Sequence, residues 1–126
     1  MKMIIGGAFQ GKYDYAKAKY PQIHWINGKE AEEAQLWEAE GIVGFHEFIR
    51  KELKAGREVQ DLAKRLMEKN PEIVLISDEV GYGVVPLDAF ERKFRESVGR
   101  VCTELAAYSS EVTRVICGIG TVIKGA

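Results

Sequence analysis

Met3-Ile4-Ile5-Gly6-Gly7-Ala8-Phe9-Gln10-Gly11-Lys12-Tyr13 is an apolar run that breaks into a glycine loop and ends beside a lysine. Against the pattern G-x-x-x-x-G-K-[ST], Gly6 and Gly11 hold the glycine places, Lys12 holds the lysine, and Tyr13 stands where a small hydroxyl residue belongs. A strand turning through Gly6 and Gly7 carries no Cβ to obstruct positive φ, so successive backbone N–H groups can point into one concavity that suits phosphate oxygens. Lys12 adds a full positive charge, and a helix starting near Gly11 aims its N-terminal dipole at the same anion. The hydroxyl lost at Tyr13 is a magnesium ligand in the full pattern, so phosphate binding is expected here ahead of phosphoryl transfer. The competing reading is a glycine-rich turn carrying a surface lysine.

Outward from this loop, the chain alternates strands and helices. Residues 2–5 read as the first strand and 12–20 as a helix stopped before Pro21. Ile23-His24-Trp25-Ile26 reads as a second strand closed by Asn27-Gly28. Residues 30–37 start an acidic helical stretch with Ala31, Ala34, Leu36 and Trp37 inward. From Ile42, the positions Phe45, Phe48, Ile49 and Leu53 predict a second helical piece that stops at Gly56. Residues 58–69 form another amphipathic helix, closed by Asn70-Pro71. Ile73-Val74-Leu75-Ile76 is the unbroken apolar run of a parallel strand covered on both faces. It runs into Ser77-Asp78-Glu79-Val80-Gly81-Tyr82-Gly83-Val84-Val85-Pro86, an acidic, glycine-rich segment where open α/β sheets carry their sites. Leu87, Phe90, Phe94, Val98, Val101 and Leu105 step by three and four, which predicts a helix over 87–108. Residues 111–117 and 121–123 read as two closing strands.

The expected fold is therefore α/β, a three-layer arrangement around a mostly parallel sheet, in a single domain over 1–126. A formal net charge of -1 gives no overall field for nucleic acid or an anionic membrane, while a small anionic ligand needs only a local positive site. Cys102 and Cys117 lack C-x-x-C spacing and no secretory leader is visible, so a cytoplasmic location with reduced thiols is expected. No stretch reaches transmembrane length. His24 and His46 are too few and too scattered for a histidine metal site and read as packed or surface residues. Asp78 and Glu79, carboxylates at a strand end beside a phosphate loop, are the candidates to hold Mg²⁺ through water or to bind a ribose.

The segments Asp78-Glu79-Val80-Gly81-Tyr82-Gly83-Val84-Val85-Pro86, Gly99-Arg100-Val101-Cys102, Glu111-Val112, Gly118-Ile119 and Ile123-Lys124 resemble the adenosylcobinamide kinase/adenosylcobinamide-phosphate guanylyltransferase family of cobalamin biosynthesis. That family carries N-E-V-G-x-G-I-V-P, G-R-V-N and D-E-V-x-x-x-x-x-G-I-x-x-x-[IL]-K at these places, and its G-G-A-R-S-G-K-S loop is similar to residues 6–13 here. The resemblance implies a P-loop fold of the RecA-like kind, usually a trimer. Such a protein phosphorylates adenosylcobinamide with ATP or GTP and Mg²⁺, then transfers GMP onto the phosphate. It implies nucleotide binding by the 6–13 loop and catalytic roles for Lys12 and Glu79, with Asp78 and Glu79 towards the metal. The sequence departs from the family at Phe9-Gln10, at Tyr13, and in a shortened middle where the family carries the helix with the histidine that accepts GMP. A catalytically silent homologue, serving as a nucleotide-sensing or structural subunit, is the alternative.

Overall fold

The computed structural model describes residues 1–80 and 88–125. Six strands form one sheet in the order β2-β3-β4-β1-β5-β6. They are β1 (Lys2–Gly6), β2 (Trp25–Asn27), β3 (Gly41–Val43), β4 (Val74–Asp78), β5 (Glu111–Ile116) and β6 (Ile119–Lys124). All pairings are parallel except that of β6 with β5. The helices are α1 (Lys12–Lys19), α2 (Glu33–Leu36), α3 (Phe45–Lys54), α4 (Leu62–Lys69) and α5 (Ala89–Tyr108).

Alternation along β1 explains the layers. Met3 joins Leu75, Ile42 and Val112 in a large core with Phe48, Ile49, Leu66, Phe94, Val98 and Leu105 from α3, α4 and α5. Ile4 faces the other way and meets Ile76, Val115 and Ala16 of α1. The three-layer α/β fold expected from the sequence is what the chain forms, with α1 alone on the thinner side. The four residues Ile73-Val74-Leu75-Ile76 are all buried, as a strand sandwiched between both helical layers requires. In α5, Phe94, Val98, Val101 and Leu105 are the buried stripe, and Asp88 caps the helix by accepting the N–H groups of Phe90 (2.7 Å) and Glu91 (3.2 Å).

Several local expectations change. Ile42 belongs to a strand, not to the helix that follows, because Gly44 stands between them at φ 76 and starts α3 at Phe45. That strand, β3, was not expected at all. Gly41 is required where it begins, since a Cβ there would lie 2.5 Å from the Trp25 ring. The acidic stretch after Gly28 winds only a single turn, Glu33–Leu36, closed by a capping box in which the Glu32 N–H donates to Gln35 Oε1 at 2.7 Å. Within it Leu36 is buried and Ala34 is exposed. The second strand starts at Trp25 instead of Ile23, and the helix expected from residue 58 starts at Leu62. The glycine-rich motif at 81–86 and Leu87 lie outside the described residues.

Candidate functional site

Parallel register fixes the centre of the site. Gly6, the last residue of β1, lies beside Asp78, the last of β4, and the Glu79 N–H donates to the Gly6 carbonyl at 2.7 Å. Gly6 can only be glycine here, because a Cβ would sit 2.5 Å from the Val115 carbonyl oxygen of β5. Beyond Gly6 the chain loops out at the C-terminal end of this interior strand, with Phe9 at φ 60 and fully exposed, and re-enters through Gly11 at φ 83 to start α1. Among the described residues, no backbone carbonyl takes an N–H of residues 7–12. Those amides and the free first turn of α1 are what an anion needs.

Lys12 is the charge at this loop. It is a buried lysine, 8% exposed, and its Nζ donates to the Gly7 carbonyl (2.7 Å) and pairs with Asp78 Oδ1 (2.7 Å). Asp78 is bound from its other side by His46, the second residue of α3. The Asp78 N–H donates to His46 Nδ1 at 3.0 Å, and His46 Nε2 lies 3.3 Å from Asp78 Oδ2. Burial lowers the His46 pKa below its ordinary 6.5, although Asp78 and Glu47 pull it upward. With Nδ1 accepting, the neutral ring carries its proton on Nε2, which makes no hydrogen bond to Asp78 Oδ2 or to Glu47.

These groups border a cleft of about 340 Å³ between the loop, the β3–α3 junction and the end of β4. Gln10, Tyr13 and Asp14 complete its wall. Tyr13 sits edge-on to Trp25, with ring centroids 6.2 Å apart, and Lys17 Nζ lies 4.4 Å above its ring. A larger cavity of about 520 Å³ lies under α5, walled by Met3, Ile5, Val98 and Val112. It is mainly apolar; Asp78, Glu79 and Arg114 also line it but Lys12 does not, so the loop cation serves the smaller cleft.

The structure brings Lys12 and Asp78 together and turns Glu79 away from them. Glu79 meets Arg114 of β5 through two bonds, Nε to Oε1 at 2.8 Å and an Nη to Oε2 at 3.0 Å. His46 is the residue that sequence reasoning passed over. Its signal was there in Ile42-Val43-Gly44, a β-branched pair followed by a glycine, which repeats in miniature the strand-glycine-helix arrangement of the first loop.

The loop is also braced from the C-terminal hairpin. Cys117 (φ 51) and Gly118 (φ 76) make a two-residue turn between β5 and β6. The Cys117 N–H donates to Gln10 Oε1 and the Gly118 N–H to the Gln10 carbonyl, both at 2.7 Å. Cys117 is exposed, whereas Cys102 lies 3.9 Å from Ser77 Oγ under α5 and burial pushes its thiol up to about 11. Iodoacetamide at neutral pH should therefore label Cys117 and spare Cys102 in the folded protein. Peptide mass spectrometry reads the ratio, and equal labelling would contradict the packing.

A three-layer α/β sheet whose central strand ends in a glycine loop and lysine defines a protein of the P-loop class. Comparison with known proteins carries this further. The model of the family described as cobinamide kinase / cobinamide phosphate guanyltransferase matches residues 23–123, and the chain belongs to that family. The bifunctional adenosylcobalamin biosynthesis proteins CobU of Escherichia coli (strain K12) and Salmonella typhimurium (strain LT2) are each 42% identical to it over 67 residues. Those residues are 53% of this chain and 37% of each relative, so the match spans little more than a third of the relatives' length. The matched family segment begins after the glycine loop. Among the described residues no helix is long and apolar enough to cross a membrane.

Proposed function

We propose that the chain binds the phosphates of a purine nucleoside triphosphate, ATP or GTP, on the amides of residues 7–12 and on Lys12, and that it passes a phosphoryl group to adenosylcobinamide. The observation that carries this reading is Lys12 itself, a buried cation at the mouth of a loop whose amides have no backbone partner among the described residues. Family membership supports the acceptor, a corrinoid, and the reaction class.

Of the two activities named for the family, direct phosphoryl transfer fits better. Guanylyl transfer through an enzyme histidine needs a free imidazole nitrogen. His46 Nδ1 accepts the Asp78 N–H, and Nε2 is flanked by the Asp78 and Glu47 carboxylates at 3.3 and 3.4 Å, which would repel an incoming phosphate. In phosphoryl transfer the residues of this chain would position and neutralise: the loop amides orient the phosphates, and Lys12 offsets the charge gathering on the transferred group.

A magnesium ion finds no prepared set of ligands. Asp78 is taken by Lys12 and His46, Glu79 by Arg114, Tyr13 replaces the hydroxyl, and the described residues hold no group of three metal-binding side chains. No step is assigned to a metal here. The same observations favour the second reading, a catalytically silent homologue that senses nucleotide or serves as a structural subunit. Exposed Ile116, Ile119, Val122 and Ile123 along the β5–β6 edge support a homo-oligomer in either case.

The test is thermal melting with ATP, GTP and GDP, each with and without magnesium, followed by turnover of adenosylcobinamide. Ligand at about a hundredfold excess over Kd should add roughly 2.7 kcal/mol of stability, and the rise should persist without magnesium. No rise with any nucleotide would remove the binding site; a rise without turnover would establish the silent reading.

A further inference from the structure

Lys12 is already occupied. Its ammonium is folded back onto the Gly7 carbonyl and Asp78 Oδ1, so a phosphate entering the loop must take a cation that Asp78 holds. Among the described residues Lys12 is the one lysine or arginine paired with the Asp78 carboxylate, so a phosphate and Asp78 compete for a single charge. His46 holds the Asp78 backbone, whose N–H donates to Nδ1, while its Nε2 lies 3.3 Å from Oδ2 without a hydrogen bond to it.

We propose that Asp78 is an internal competitor for Lys12 that keeps the empty loop closed on itself, so that a phosphate anion must displace the carboxylate to engage the lysine. The proposal rests on the phosphate-binding reading of the loop. The competition lowers apparent affinity by the fraction of molecules in which Lys12 is free, so removing Asp78 raises it.

The experiment is calorimetric titration of the full chain with GTP in magnesium-free buffer, repeated with inorganic triphosphate. Asp78→Asn should bind about tenfold more tightly than the unaltered protein. Asp14→Asn separates competition from simple charge, because Asp14 borders the same cleft but pairs with Lys17 at 3.4 Å; it should stay within about twofold. Asp78→Asn binding no more tightly, or Asp14→Asn tightening as much, would each overturn the proposal. Failure of the unaltered protein to bind either probe would instead overturn the phosphate reading, and the proposal with it.

Discussion

Gly28→Ala should cost the protein about 3 kcal/mol or more in urea unfolding, although it adds a single methyl group to a residue with ordinary φ. Gly28 follows β2 and donates its N–H to the Val43 carbonyl at 2.8 Å. A Cβ there would collide with the Gly44 carbonyl oxygen, approach its carbon to 2.8 Å and lie 3.2 Å from the Phe48 nitrogen. All of these are backbone atoms at the junction of β3 and α3, so none can swing aside as a side chain would. The junction must move as a unit, and with it Phe45 and Phe48, which are fully buried and stacked with ring centroids 6.4 Å apart. His46 lies between them and would lose its register with Asp78. Gly99→Ala is the natural contrast, because a Cβ at Gly99 meets nothing within 4 Å and the position is inside α5. That variant should gain up to about 1 kcal/mol. If Gly28→Ala melts within about 1 kcal/mol of the parent, the close approach of β2 to the β3–α3 junction is wrong.

Lys12→Ala should abolish nucleotide stabilisation while leaving a folded protein. Charge-assisted hydrogen bonds to a phosphate each contribute about 1.5 to 3 kcal/mol, so removing the one buried cation of the loop should weaken GTP binding by about a hundredfold. Folding should suffer less. Asp78, which loses Lys12, is 24% exposed to water, so its charge is not stranded. Thermal melting of the variant with and without GTP measures both effects together. Binding within about twofold of the parent would show that Lys12 is a structural cation, bound to its own loop and nothing else.

The fold was legible where one signal dominated. The apolar run at 73–76 reads as a covered strand, and the stripe from Phe90 to Leu105 reads as a helix, so the layers followed. The glycine loop, Lys12 and Asp78 were legible too, and the parallel pairing of β1 with β4 is what places the last two together. Two kinds of feature were hidden. β3 is three residues long and runs straight into an amphipathic helix, so Ile42 fits the helical period as well as the strand, and only the left-handed Gly44 separates them. The role of His46 depends on which strand neighbours β3, a tertiary fact with no local signature. Glu79 shows the converse. It matched a motif letter by letter, yet alternation at the end of β4 turns it from the Lys12 cleft towards Arg114.

The grip of the Cys117-Gly118 turn on Gln10 couples the two ends of the chain across a separation of 107 residues. The phosphate loop is the first part of the site to be synthesised and the last to be shaped, since its crest has no brace until β5 and β6 have paired and joined β1. Long-range closures of this kind are slow relative to helix formation. A chain interrupted before the hairpin would keep every residue of the glycine motif and still lack the geometry that makes it a site. A nick at the Cys117-Gly118 turn should accordingly loosen the loop around Gln10, read as a smaller rise in melting temperature with nucleotide.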